Sequence, residues 1–206
     1  MTAQTRRNVF LFALLGLCGG GAYMLARKDN TAGDGGDIES EIRKGKAAMR
    51  ELVKRAMKAR KQNRNFEGED AIIRNAMIVP NLGPVDFRWG RFKKGTGQGV
   101  GVSKVVGSMC LKLAYFGDPK FNPRLIYKVP QILARGKTRR VDGAHTRVEH
   151  GEYIVILKNT HDGKPTTNWV FTAYPWFPSE SGKNLPSVQV ARLLKSRKKQ
   201  QKKGRE

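Results

Sequence analysis

The chain has 206 residues, with 40 Lys and Arg against 17 Asp and Glu, for a formal charge of +23. That length suits one compact domain with appendages, and 39% hydrophobic residues supply a core, which excludes wholesale disorder, a collagen-like chain and a multi-span membrane protein. The two cysteines, Cys18 and Cys110, exclude a disulfide framework and a thiolate zinc site, so chemistry without cofactor or metal, or simple binding of a polyanion, is the expectation.

The charge is concentrated at two places. Residues 41–64 carry a net +8 and residues 192–206 a net +7, so the remaining core is only mildly basic. Ahead of both lies an uncharged apolar run, residues 9–26, flanked by Arg6-Arg7 and Arg27-Lys28. Its glycines make it weakly hydrophobic, and Thr5-Arg6-Arg7-Asn8-Val9-Phe10-Leu11 resembles the bacterial twin-arginine export signal. An export signal and an uncleaved membrane anchor are equal readings of this segment. The expected location is therefore periplasmic or secreted, or anchored at the inner membrane, with membrane association through residues 9–26.

Residues 30–36 read as a flexible linker. Asp37 can then cap a helix running to about Gln62, in which Ile42, Met49, Leu52, Val53, Ala56 and Met57 form an apolar stripe and the basic residues take the other face. A polar break at 65–70 precedes the apolar segment 71–79, and the turn Pro80-Asn81-Leu82-Gly83-Pro84 leads into a short strand over 85–90. Residues 91–101 are rich in glycine, but neither GxGxxG nor GxxxxGK[ST] threads through them, so a dinucleotide or Walker site is rejected in favour of a mobile basic loop. A half-buried helix is expected over 103–113. Asn122-Pro123 starts another, perturbed by Pro130 and closed at Gly136.

From residue 137 the apolar period changes from 3.6 to 2. Four strands follow, over 137–141, 146–150, 152–158 and 168–174, with Asp142-Gly143 and Asp162-Gly163 marking turns and the third strand central. Residues 192–206 read as a disordered polybasic tail. The fold class is thus α+β, N-terminal helices packed on a four-stranded antiparallel sheet.

The order of these motifs resembles the phage-associated branch of the barnase, EndoU, colicin and RelE-like (BECR fold) nucleases. The resemblance is carried by four elements: Gly83-Pro84-Val85-Asp86-Phe87-Arg88-Trp89-Gly90; Gly101-Val102-Ser103-Lys104-Val105-Val106; Pro130-Gln131-Ile132-Leu133-Ala134-Arg135-Gly136-Lys137; and the strand pair 147–157 with 168–174. It covers roughly residues 76–176, and it implies a small metal-independent ribonuclease, of a kind often found as a toxin or effector, with its site on the sheet. It also places a His about five residues beyond Lys104, where this chain has Met109.

Cleavage of RNA without metal needs a base for the ribose 2′-hydroxyl, an acid for the leaving oxygen, and cations or hydroxyls for the charge that develops on phosphorus. His150 beside the central strand is the expected acid or base, ahead of His145, while His161 at a turn tip is read as solvated. Thr172 and Tyr174 share one face of the last strand and supply hydroxyls, and Lys104 completes the catalytic set. Arg88, Arg147, Trp169 and Lys158 are the expected substrate-binding residues, with Trp169 assigned by alternation to the face of Thr172. The domain plan is a signal or anchor (1–29), linker (30–36), basic helix (37–64), nuclease-like domain (65–180) and polybasic tail (181–206). RNA or another nucleic acid is the expected partner, and an acidic immunity protein fits a toxin of this charge. Two other readings stand beside the enzyme: an inactive nucleic-acid-binding module on the same fold, and a polybasic membrane-surface protein.

Overall fold

The structure, a computed structural model, describes residues 35–177 and 185–203. The apolar run at 9–26, with both the export and the anchor reading, lies outside the described residues, as do residues 30–34 of the linker and 204–206 of the tail. No helix among the described residues is long and apolar enough to cross a membrane. The chain divides into two units, Met1–Ile38 and Glu39–Glu206, and the second holds every strand of the described fold.

Helix α1 (Gly35–Lys61) buries Ile42, Gly45, Met49, Leu52, Ala56 and Ala59, a 3-4-3-4-3 spacing that keeps one stripe against the domain. Met57, expected in that stripe, is 55% exposed because it falls outside this spacing. Gly45 is required by packing: a Cβ there would stand 2.8 Å from the Pro130 side chain and 2.9 Å from the Met77 sulfur.

Among the described residues eight strands follow, mixed with three more helices. The strands β1 (Ile72–Val79) and β2 (Gly83–Arg88) form a hairpin, and β3 (Arg91–Lys93) and β4 (Gln98–Val100) form a separate small one. Helix α2 (Gly101–Phe116) and the short α3 (Val129–Arg135) precede the meander β5 (Lys137–Arg140), β6 (His145–His150), β7 (Tyr153–His161) and β8 (Lys164–Pro175). Helix α4 (Ser187–Lys203) closes the described chain.

The main sheet corrects the four-stranded antiparallel expectation. It has six strands in the order β1-β2-β8-β7-β6-β5, and β2 joins β8 in parallel through Val85↔Asn168 and Asp86↔Trp169. The meander and the central position of the third expected strand hold, since β7 lies between β8 and β6. What alternation within 137–174 does not report is that β1 and β2, distant in sequence, extend the sheet past β8. The irregularity in β1 is held from inside the protein: Asn75 is left-handed (φ 46°), and its amide donates to the buried Asp86 carboxylate at 3.0 Å.

Two other expectations change. Residues 91–101 are a hairpin closed by Gly97 N to Lys93 O at 2.8 Å, with Gly97 at φ 68°, rather than an open loop. The segment 187–203 is helical, not disordered, because Val190 and Ala191 bury themselves against Leu111 of α2 with Phe92, Tyr115 and Leu194 around them. The expected helix after Asn122 is split into a 3-10 turn (Pro123–Tyr127), capped by the Asn122 side chain accepting from the Arg124 amide, and α3 with Pro130 in its first turn.

Candidate active site

Cross-strand partners in a sheet point to the same face, so the register assigns every side chain of the meander. On one face stand Val148, Val155 and Ala173, all buried; Val148 lies where a Cβ on Gly136, at the end of α3, would meet it. On the other stand Arg147, Ile156 and Thr172 in one row, Glu149, Ile154 and Tyr174 in the next, and His145, Lys158 and Trp169 in a third. Helix α2 packs against β8, with Lys104 Nζ 4.4 Å from the centre of the Phe171 ring.

A bulge puts Trp169 there. Ile156 pairs with Thr172 but Leu157 pairs with Val170, which leaves Phe171 as the extra residue. The alternation expected to place Trp169 beside Thr172 does not do so, because positions three apart fall on opposite faces of a regular strand; the inserted residue is what returns them to one. Trp169 is 4% exposed, with its ring 5.8 Å from Phe171 and its indole N–H donating to Thr160 O.

The register separates His150 from this group. His150 pairs with Tyr153, which pairs with Pro175, so it lies on the face of Val148 and Ala173, opposite Thr172 and Tyr174. The cause is the two-residue period of β6: it takes His145, Arg147 and Glu149 to one side and Thr146, Val148 and His150 to the other. The expected cluster of His150 with Thr172 and Tyr174 therefore does not form. The histidine that pairs into their rows, beside Phe171, is His145; His161, at the turn tip, has its ring 6.1 Å from that of Trp169. A pattern His-x-Arg-x-Glu within one strand is the sequence signal that marks it, and that signal also includes Glu149, a residue absent from the expected set.

His145 is held from behind. The turn after β5 brings the Asp142 carboxylate to 3.0 and 3.1 Å from Nδ1, while the amides of Ala144 and His145 donate to the same carboxylate at 2.7 Å each. These bonds, the Ala144 amide first and then the His145 ring, hold the Asp142 carboxyl below its ordinary range. With Nδ1 donating to Asp142, Nε2 is the nitrogen left to exchange a proton. The ring centre lies 5.4 Å from that of Phe171.

Phe171 is the centre of the group, because Lys158 Nζ also lies 5.7 Å from its ring. Burial pushes the Lys104 ammonium below its ordinary pKa. Arg147 Nε stands 2.6 Å from Glu149 Oε1, an ion contact without hydrogen-bond alignment, and its guanidinium carbon is 5.5 Å from the Trp176 ring. Burial raises the Tyr174 pKa, which keeps its hydroxyl a donor. Arg88 is committed elsewhere: it is 8% exposed, 3.4 Å from Asp86, 3.1 Å from the Thr166 hydroxyl, and stacked 5.3 Å from the Trp169 ring centre. Met109, where the resemblance places a His, is fully buried under the adjoining cleft.

That cleft, of about 490 Å³, lies between α2, the β3–β4 hairpin, the end of β8 and the start of α4; Lys104, Ser108, Lys112, Thr172 and Tyr174 line it. Burial lowers Lys112 to about 8.

No curated protein and no solved structure matches the chain. A family model does, over residues 76–177, which run from within β1 to just past the end of β8. Through this segment the chain belongs to the family described as phage-Barnase-EndoU-ColicinE5/D-RelE like nuclease.

Proposed function

We propose that the protein is a ribonuclease of the toxin or effector kind that cleaves RNA by its own side chains, through attack of a ribose 2′-hydroxyl on the adjacent phosphate. Membership of a nuclease family makes nucleic acid the substrate class. The observation that carries the finer reading is the gathering of an Asp142-bound His145, Lys104 and Lys158 around one ring, Phe171, on the sheet face.

In this reading His145 Nε2 takes the proton of the 2′-hydroxyl as that oxygen bonds to phosphorus. The bond to the 5′-oxygen breaks, and that oxygen leaves with a proton from Lys104, whose lowered pKa makes it a better acid than an ordinary lysine. The products are a 2′,3′-cyclic phosphate and a free 5′-hydroxyl. Lys158, Arg147 and the Thr172 hydroxyl face the oxygens on which charge accumulates, and partial desolvation strengthens these interactions. Asp142 holds the tautomer and steadies the imidazolium, as the carboxylate does in other His–carboxylate pairs. The Phe171 face holds the cations near a ring and is available for a base to stack on.

The test is incubation of the full chain with EDTA and a DNA strand carrying one ribonucleotide. A single cut after the ribonucleotide, ending in a cyclic phosphate and lost in His145→Ala, supports the reading. Cutting of an all-DNA strand, or equal cutting by His145→Ala, overturns it; RNA bound but intact supports the inactive binding module, for which Met109 is the motivating residue.

A further inference from the structure

Two lysines enter the cleft from α2, about two turns apart on the same helix, and no Asp or Glu lines it among the described residues. Lys112 is 5% exposed and Lys104 is half-buried, so both cations are partly desolvated, and among the described residues the groups against them are aromatic faces, Phe121 at 5.3 Å and Phe171 at 4.4 Å. A pair of partly desolvated ammonium groups with no acidic partner among the described residues is a site for a multiply charged anion. Ser108, between them, accepts a hydrogen bond from Ser187 at 2.7 Å, which leaves its own hydroxyl hydrogen to donate. The aromatic and apolar part of the wall is Tyr174, Trp176, Met109, Leu185, Pro186 and Val188, with Gln98 and Thr172 adding uncharged polar groups.

We propose that this cleft is a nucleotide-binding subsite, taking a phosphate between Lys104, Lys112 and Ser108 and the attached base against Tyr174 and Trp176. Its place in the substrate rests on the ribonuclease reading: because Lys104 and Thr172 belong to both the cleft and the Phe171 group, the bound nucleotide is the one next to the scissile phosphate. One wall is built by residues 185–188, beyond the matched segment 76–177, so the subsite is a property of this chain and not of the family match. A planar base on an aromatic ring and a dianion on two lysines account for the mixed lining, which a bare phosphate site does not need.

The test is calorimetric titration of the full chain with 5′-AMP, 5′-UMP and inorganic phosphate. At least one nucleotide binds ten or more times tighter than phosphate, and Lys112→Met weakens it about tenfold. Trp176→Ala, at a 39% exposed position that folding tolerates, brings the nucleotide to the level of phosphate. Nucleotide affinity also falls between pH 7 and 9.5 as the lysines lose charge, and the fall is smaller in Lys112→Met; of the groups facing Lys112, Lys104 titrates in the same sense and Tyr174 stays neutral in this range, while the hairpin and α4 place no charged residue in the lining. Nucleotides no tighter than phosphate, or unchanged by both variants, overturn the subsite. Nucleotide binding without RNA cleavage sinks the ribonuclease reading and leaves the subsite standing; cleavage without nucleotide binding does the reverse.

Discussion

The Asp142 carboxylate lies 3.0 Å from Nδ1 of His145 through Oδ2 and, through Oδ1, accepts the amides of Ala144 and His145 that form the turn between β5 and β6. One residue thus sets both the turn and the ring. His145→Ala is expected to lower RNA cleavage by about 10²–10⁴-fold, the range of a lost general base. Asp142→Asn is expected to lower it less and to leave RNA affinity within a few-fold, while His150→Ala, on the opposite face, retains cleavage. Single-turnover rates with a fluorescent oligonucleotide measure all three, and a His150→Ala loss matching that of His145→Ala refutes the assignment by faces.

Lys104 and Phe171 form a second linked pair. Replacing Phe171 by Leu removes the ring that Lys104, Lys158 and His145 share but keeps an apolar side chain on the strand. A cation–π contact of about 0.5–2 kcal/mol lost at each lysine predicts a drop in cleavage of about fivefold or more with a change in melting temperature of only a few degrees. Equal cleavage by Phe171→Leu shows that the ring is core filling alone.

Gly97 ties the hairpin to α4. At φ 68° a side chain is strained, and a Cβ there collides with the Ser187 carbonyl. Gly97→Ala is therefore expected to destabilise the protein by about 1–3 kcal/mol and to loosen α4 first. Limited proteolysis should cut between residues 185 and 203 earlier than in the parent; an unchanged digestion pattern and melting temperature contradict the contact.

Lys112 gives a pH dependence whose sign follows from its depressed pKa. Between about 8 and the ordinary lysine value the unfolded chain binds the proton and the folded chain does not, so stability rises with pH across that window. Below pH 8 both states are protonated and the full penalty of holding a desolvated ammonium remains. Lys112→Met is expected to be more stable than the parent at pH 7 and to show a smaller rise between pH 8 and 9.5, the remainder coming from Lys104, as read by urea unfolding at each pH. Tyr174, raised by burial, acts in the opposite direction only above the ordinary tyrosine range. A parent stability flat over pH 8–9.5 rules out the buried cation.

Local chemistry was legible in the chain. The caps and turns at Asn122, Asp142-Gly143 and Asp162-Gly163, the helix expected over 103–113 and found over Gly101–Phe116, and the four meander strands follow from side chains acting on their own neighbours. The motif order also points to the nuclease family. Thr172, Tyr174, Arg147 and Lys158 do come to one face of the sheet, where Lys104 reaches the Phe171 ring from α2; Trp169 joins them only through the bulge. Arg88 shares it but is consumed by Asp86 and Thr166.

Composition and sequence pattern determined the charge, the apolar N-terminal run, the α+β class and the residue types able to cleave a phosphodiester. Only tertiary structure decided which histidine faces them, because a strand has no inside until its partners are known: the pairing of β6 with β7 turns His150 away and presents His145. The bulge at Phe171, the parallel joining of β2 to β8, and the helix over 187–203 likewise depend on partners far off in sequence. Pairing register and the burial of Val190 and Ala191 are set by long-range contacts, to which the pattern of neighbouring residues has no access.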